Sequence, residues 1–333
     1  MYRLRILDSK QFRALVTMDD VIPGVKEAYK LFSSGKAGLF PIITHEFDPG
    51  RTDMDIKSAF MDGAGIYGLK ILGWNRDNPL TLGVPALAGL IVVMDIGRQQ
   101  PLGILEGTPV TFLRTGAAGA IGAETLARPE SEYAVVVGSG AQGRAQIMGL
   151  SKVMPKLKRI DVFDVLDPAA EKMAEEITSC YPGIEIIARP FVSLEEYVKN
   201  ADIVVTCTPS KKWFIKSGWL RKGCHINTIG ADMPGKQEID PEITATVKVF
   251  GDSRSQVSHK GECQHAVSMG LIMPECITEI GEVLNGTRPG RTSADEITMF
   301  DATGMALQDL ITAKVALERA EALRIGTVVE MEQ

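Results

Sequence analysis

The sequence predicts an α/β protein with a doubly wound parallel sheet, accompanied by a second, discontinuous α+β domain. Three observations predict it. A β-branched run at 135–137 enters a Gly-x-Gly-x-x-Gly turn at Gly138, Gly140 and Gly143, and then a helix-forming stretch at 144–152. From Tyr133 onward six strand-like segments alternate with helical ones, the order that gives parallel strands with crossover helices. Ahead of them, strand-like pieces are separated by Gly, Pro, Asn and Asp, the punctuation of an antiparallel sheet.

The elements follow in order. Residues 18–33 (MDDVIPGVKEAYKLFS) have apolar residues at helical spacing and Asp19 or Asp20 near the start, and so predict an amphipathic helix. Strands are expected at 66–74, 88–95 and 100–105. Residues 111–128 (TFLRTGAAGAIGAETLAR) predict a helix of small residues. Each interior glycine there costs about 1 kcal/mol relative to alanine, so close backbone packing must favour the helix beyond its local stability. The six strands of the parallel sheet are expected at 133–137, 159–163, 184–188, 203–207, 225–228 and 247–250, with helices at 168–180 and 194–200. Residues 295–325 read as one or two helices. The expected division is 1–125 with 305–333 for one domain and 126–304 for the other.

The glycine turn carries the chemistry. The chain turns sharply, a pyrophosphate needs bare backbone to approach, and the helix must pack tightly on the strand. The helix N-terminus offers free N–H groups and a partial positive charge to phosphates. The second strand leads to Asp164, at the distance from the first glycine where an acid hydrogen-bonds a ribose 2′-hydroxyl. An ordinary tight turn would not require that acid. A dinucleotide site is the expectation.

Composition sets limits. With 45% hydrophobic and 23% charged residues in 333, the chain suits a soluble globular protein large enough for two domains. A net charge of −6 with no Lys/Arg-rich run argues against nucleic acid or an anionic membrane as partner. No apolar stretch reaches the ~18–20 residues of a membrane span. The start, MYRLRILDSKQF, lacks the apolar core of a secretion signal. Five cysteines without a CxxC pair suit reduced thiols in the cytoplasm. His259, Cys263 and His265 match no common zinc spacing, so no metal is expected, and a surface loop is the reading of that segment.

Three further segments hold candidate site residues. Arg114 lies in an uncharged stretch of small residues, where its guanidinium needs a carboxylate or phosphate; an internal acid such as Glu106 is the alternative. Asp232 follows the strand 225–228, in a turn bracketed by Gly230, Pro234 and Gly235 beyond the carboxyl end of the sheet. A carboxylate there can take and return a proton, or simply cap a turn. Lys236 either reaches the cofactor or is solvated. Lys70 stands between Leu69 and Ile71: buried, it would have a lowered pKa and meet a substrate oxygen; on an open edge it would be an ordinary surface charge. Thr303, in DATGMALQD, is a candidate substrate contact, with capping of the last helix by Asp301 as the alternative.

These residues resemble the ornithine cyclodeaminase/μ-crystallin family across nearly the whole chain. The resemblance rests on Arg114-Thr115-Gly116-Ala117-Ala118, the GxGxQ turn with Gln142, Thr208-Pro209-Ser210 after a strand, and the Gly-Ala-Asp-x-Pro-Gly-Lys-x-Glu run at 230–238. It implies a Rossmann-type NAD(P)-binding domain flanked by a discontinuous substrate-binding and dimerisation domain, and hence a homodimer. By position it implies Asp232 as proton donor and acceptor, with Lys70 as a second catalytic group. Lys70, Arg114, Lys57 and Thr303 would contact substrate. Arg114, Thr115, Gly138, Gly140, Ala141, Gln142, Gly143, Asp164, Thr208, Gly230 and Lys236 would surround the cofactor. Asp164 followed by Val165, with no adjacent arginine, favours NAD over NADP, whose 2′-phosphate would meet a negative charge.

Two departures bear on substrate. Where members acting on α-amino acids often carry an arginine shortly after a proline, this chain has Phe40-Pro41-Ile42-Ile43. Lys57 stands where cyclodeaminases have a glutamate near the substrate amine, and it would repel a diamine but hold an acid. The expected activity is NAD(H)-dependent interconversion of an amino acid or amine with its imino or oxo acid, as in alanine dehydrogenases or ketimine reductases. Alternatives are a cyclodeaminase that recycles its NAD and a protein that binds cofactor and small ligand without catalysis.

Overall fold

The computed structural model describes residues 2–331. It divides into two compact units, one running to Arg114 and resuming at Met305, the other Thr115–Gly304. The first division falls inside the small-residue helix, Gly107–Leu126, rather than after residue 125.

The first unit is a mixed sheet covered by helices. Its strands are β1 (Tyr2–Leu7), β2 (Ala37–Leu39), β3 (Ile43–Asp48), β4 (Thr52–Met61), β5 (Ile66–Asn75), β6 (Leu87–Asp95) and β7 (Pro101–Glu106), with a C-terminal strand, Thr327–Met331, on the β1 edge. Every pairing is antiparallel except β1 with β7. The helices Met18–Ser33 and Ala306–Leu323 pack against each other, and the latter lies along β4, β5 and β6. Pro23, in the second turn of the helix Met18–Ser33, lies past the free donors of the first turn and so forgoes one backbone bond, to the Asp19 carbonyl.

The second unit is a parallel sheet. Its strands are β8 (Tyr133–Val137), β9 (Arg159–Phe163), β10 (Glu185–Ala188), β11 (Ile203–Thr206), β12 (Lys211–Ile215), β13 (His225–Thr228), β14 (Gln237–Ile239), β15 (Lys248–Gly251), β16 (Thr278–Glu279) and β17 (Thr298–Asp301). The order is β10-β9-β8-β11-β13-β17-β15-β16, and every pairing is parallel. β12 and β14 form a separate parallel pair. The central strands are buried on both faces, which is why they read as continuous Val/Ile runs without alternation. The chain builds outward from β8 through β9 and β10, then returns to build from β11 on the other side, so the switch point lies between β8 and β11.

Two expectations need correction. The stretch 295–325 is not helical throughout: Thr298–Asp301 is a strand between β13 and β15, and the last helix begins only at Ala306. Four buried residues with no alternating pattern leave no strand signature. The segment around His259, Cys263 and His265 is not a surface loop. It forms two short helices, Arg254–Lys260 and Cys263–Ser268, with Cys263 fully buried. No helix among the described residues is long and apolar enough to cross a membrane.

Candidate active site

In the second unit the glycine turn lies at the switch point. Gly138 has φ +113°, and a Cβ there would lie 2.8 Å from the Cys207 carbonyl oxygen, so only glycine fits. A Cβ at Gly143 would lie 2.0 Å from the Gly138 carbonyl oxygen, so the third glycine lets the helix Ala141–Val153 start tight against the turn. Gly140 differs: a Cβ there would meet nothing within 4 Å, and the exposed backbone is the face a phosphate can approach. No side chain caps that helix, and its first turn holds no acid. Its N–H groups therefore keep their affinity for an anion.

A cavity of about 470 Å³ opens at the same strand ends, lined by Gly138, Gly140, Asp164, Phe191, Thr208 and Phe214 among others. Asp164 follows β9 directly. One carboxylate oxygen accepts from the Ser139 N–H (2.9 Å) and hydroxyl (2.7 Å), and the other from the Leu166 N–H (3.0 Å). Burial opposes its charge, but these donors outweigh it and hold the carboxyl below its ordinary value. Gln142 has a buried Oε1 with no protein partner. A bare glycine cradle, an uncapped helix start, a fixed acid and an orphaned amide oxygen suit a dinucleotide. Thr115 lies half-buried, its carbonyl accepting from Gln146 Nε2 at 2.9 Å.

The ends of β11 and β13 are joined by a residue that sequence reasoning missed. Glu238 is fully buried and accepts from the Thr206 hydroxyl (2.8 Å), the Thr208 N–H (2.6 Å) and the Gly230 N–H (3.0 Å). A Cβ on Gly230 would lie 2.3 Å from the Thr208 carbonyl oxygen, so these two loops touch backbone to backbone. Burial raises the Glu238 carboxyl, and the donors pull against it. Asp232 is half-buried beyond Gly230, with Lys236 Nζ 2.6 Å from its Oδ1. The Lys236 side chain is therefore mostly buried and paired rather than solvated. It holds the candidate proton carrier.

The first unit holds the other candidates. On β5 the burial alternates so that Lys70 faces the interior with Ile66 and Leu72, while Ile71 faces out; Lys70 is only 1% exposed. Its Nζ lies 2.9 Å from Asp309 Oδ2 and 3.3 Å from the Thr111 hydroxyl. Arg114 pairs with Asp309 as well, Nε to Oδ1 at 3.0 Å, and its Nη1 donates to Gln308 at 3.1 Å. Glu106, the alternative partner for Arg114, instead accepts from Ser9 and Thr108. Lys57 is the direct cross-strand neighbour of Lys70, is almost fully buried, and lies 4.0 Å from Asp55.

Burial pushes the Lys70 ammonium down to about 8; Asp309 opposes the shift, while Arg114 and Lys57 add to it. Burial raises the Asp309 carboxyl, but Arg114, Lys70 and Lys57 outweigh it and the net is downward. Asp309 had no sequence signature. It sits in the first turn of the last helix, an ordinary place for an acid, and only the tertiary fold brings it to two cations.

Thr303 belongs to the second unit. It is buried, and its hydroxyl, with one proton to give, lies 3.0 Å from Gln256 Oε1 and 3.3 Å from Asp252 Oδ1. Asp301 does not cap the last helix: it ends β17, accepts from the Cys263 N–H at 2.9 Å, and burial raises it to about 7. Met305 occupies the cap position instead.

The chain matches the ornithine cyclodeaminase/mu-crystallin family over residues 5–323. It is 37% identical to an alanine dehydrogenase of Archaeoglobus fulgidus over 98% of each chain. A solved archaeal alanine dehydrogenase dimer with bound NAD superposes with a TM-score of 0.92 at 36% identity, over 99% of this chain and 100% of that one. The Δ1-pyrroline-2-carboxylate reductase of Thermococcus litoralis, solved with NADH and L-proline, superposes with a TM-score of 0.91 at 29% identity, over 97% and 99%. On this likeness and the motifs at 114–118, 138–142, 208–210 and 230–238, the protein belongs to the ornithine cyclodeaminase/mu-crystallin family.

Proposed function

We propose that the protein is an NAD(H)-dependent oxidoreductase that interconverts an α-amino acid with its imino or oxo acid. The observation that carries the substrate class is the buried group of Lys57, Lys70 and Arg114. Three cations converge where Asp309 is the shared carboxylate and Asp55 stands at the margin, so one positive charge is left over. Buried charge is costly unless paired, and a substrate carboxylate completes the pairing. The same cations repel the second ammonium of a diamine, which disfavours a cyclodeaminase.

Gly138, Gly140, Ala141, Gln142 and Gly143 frame the pyrophosphate, with Thr115 beside them and Thr208 and Gly230 at the neighbouring strand ends. Asp164 takes the ribose hydroxyls, and its fixed negative charge selects NAD over NADP. NAD held there would supply hydride transfer at the carbon bearing nitrogen. Asp232 exchanges the proton with the substrate nitrogen or with water, and Lys236 anchors its carboxylate. Lys70 and Arg114, kept in place by Asp309, hold the acid and oppose charge building on oxygen.

The working form is a cytoplasmic homodimer. Phe47 and Leu80 of the first unit are 67% and 90% exposed in the single chain, surface that a second copy would cover.

The experiment is NADH oxidation with a panel of 2-oxo acids plus ammonia or methylamine, and with cyclic imines. Net loss of NADH is expected for at least one of them, and Asp232→Asn should cut kcat by about a hundredfold or more. Turnover by that variant at the parent rate removes Asp232 from the mechanism. Deamination of a diamine with no net change in NADH would favour the cyclodeaminase.

A further inference from the structure

The segment 259–265 (HKGECQH) has the wrong spacing for metal, yet Gln264 and His265 meet the loop that carries Asp232, and Glu262 meets the strand that follows it. Gln264 does the most. Its Oε1 accepts from the Gly235 N–H at 2.8 Å, and its Nε2 faces the carbonyl oxygens of Met233 and Lys236, each at 3.3 Å, and of Gly261 at 2.9 Å. One amide thus grips both sides of the turn at 233–236, and ties it to the start of the helix Cys263–Ser268.

His265 Nε2 lies 2.9 Å from the Lys236 carbonyl oxygen. Beneath, the buried Glu262 carboxylate accepts from the N–H groups of Glu238 (2.9 and 3.0 Å) and Ile239 (2.8 Å). The Cys263 N–H is fixed in turn on Asp301. The turn itself has few anchors of its own. Met233, Pro234 and Gly235 are exposed, and Gly235 takes φ +79°. Without an external grip, such a turn samples many conformations.

We propose that Gln264 is a positioning residue for Asp232: it fixes the turn 233–236, and through it both the Asp232 carboxylate and the Lys236 that pairs with it. The inference rests on the reading of Asp232 as the proton carrier. A carboxylate that moves proton and nitrogen into reacting distance must be held to a fraction of an ångström, and loss of about 1 Å in placement costs up to about a hundredfold in rate. Gln264 achieves this while donating to and accepting from backbone alone, so it leaves Asp232 chemically unaltered.

The test compares Gln264→Met, which keeps shape and loses every hydrogen bond, with Gln264→Glu, which keeps the acceptor for Gly235 and loses the donor. Each variant and the parent are measured for NADH dissociation by fluorescence, for kcat and KM on the panel above, and for hydrogen exchange of the peptide spanning 230–239. Gln264→Met should lower kcat about tenfold to a hundredfold while KM and NADH dissociation stay within about threefold, and it should speed exchange in that peptide about tenfold. Gln264→Glu should recover part of both. Unchanged exchange and unchanged kcat in Gln264→Met overturn the proposal, as does an equal loss of NADH binding, which would mark a merely structural role.

Asp232→Asn in parallel separates the two ideas. If that variant is inactive while Gln264→Met is fully active, the grip is irrelevant and the proton carrier stands. If Asp232→Asn is fully active, the proton carrier is misassigned whatever Gln264 does. If the parent turns over none of the panel, the functional reading fails, and the exchange measurement alone decides on the grip.

Discussion

Lys70 occupies the buried face of its strand while its apolar neighbour Ile71 faces out, an inversion of the usual pattern that burial alone would not select. The ammonium is retained because Asp309 pairs with it, and burial still lowers it to about 8. The sign of the consequence is fixed. Below that value the site carries its full positive charge; above it Lys70 is neutral and the grip on an acid weakens. KM for the amino or oxo acid should therefore rise as pH passes through about 8, earlier than an exposed lysine would allow, with kcat changing less. Lys70→Arg should abolish that inflection, since a guanidinium stays charged. A KM that is flat between about pH 7 and 9 would show that Lys70 does not hold the acid.

At the scale of elements, the helix Gly107–Leu126 shows why a sequence with so many helix-weakening glycines folds as a helix. Gly116, Gly119 and Gly122 recur every three residues along one face. A Cβ at Gly149 of the next helix would lie 2.5 Å from the Gly116 carbonyl oxygen, and one at Gly119 would lie 1.8 Å from Gln146 Oε1. At Gly122 it would meet Phe300 at 2.4 Å and Asn227 Oδ1 at 2.7 Å. Asn227 donates to the Gly119 carbonyl oxygen and is itself held by buried His225. Gly122→Ala gains about 1 kcal/mol of helix propensity but must push Phe300 and Asn227 aside, at a cost of about 1–3 kcal/mol. The expected outcome is a lower urea midpoint with an unchanged m-value. A midpoint equal to or above that of the parent would mean the neighbours yield freely.

The molecule as a whole joins a nucleotide-binding unit to a unit bearing buried cations, and belongs to a family in which a solved archaeal alanine dehydrogenase is a dimer. Phe47 lies on β3 and Leu80 on the short helix Asn78–Thr81, both strongly exposed in the single chain. Charges at both positions, Phe47→Glu with Leu80→Glu, should convert a dimer to a monomer in analytical ultracentrifugation while the circular dichroism spectrum is kept. A dimer that survives both changes would put the interface elsewhere.

The glycine turn, the acid at Asp164 and the strand–helix alternation were legible in the chain, because each depends on local rules: backbone freedom, helix N-termini and the burial of central parallel strands. So was the place of Asp232, in a turn that follows a strand. What only the tertiary structure decided were partnerships across long separations. Asp309 meets Lys70 and Arg114, which resolves the orientation of Lys70 and replaces Glu106 as the partner of Arg114. Glu238 reaches back to Thr206 and Thr208, and Gln264 to the turn at 233–236. The strand Thr298–Asp301 belongs to this class too, since four buried residues take their identity from the strands on either side. The physical reason is common to all of them. A buried charge or hydrogen-bonding group must find a partner, but its sequence neighbourhood records only that it needs one, and the fold chooses which.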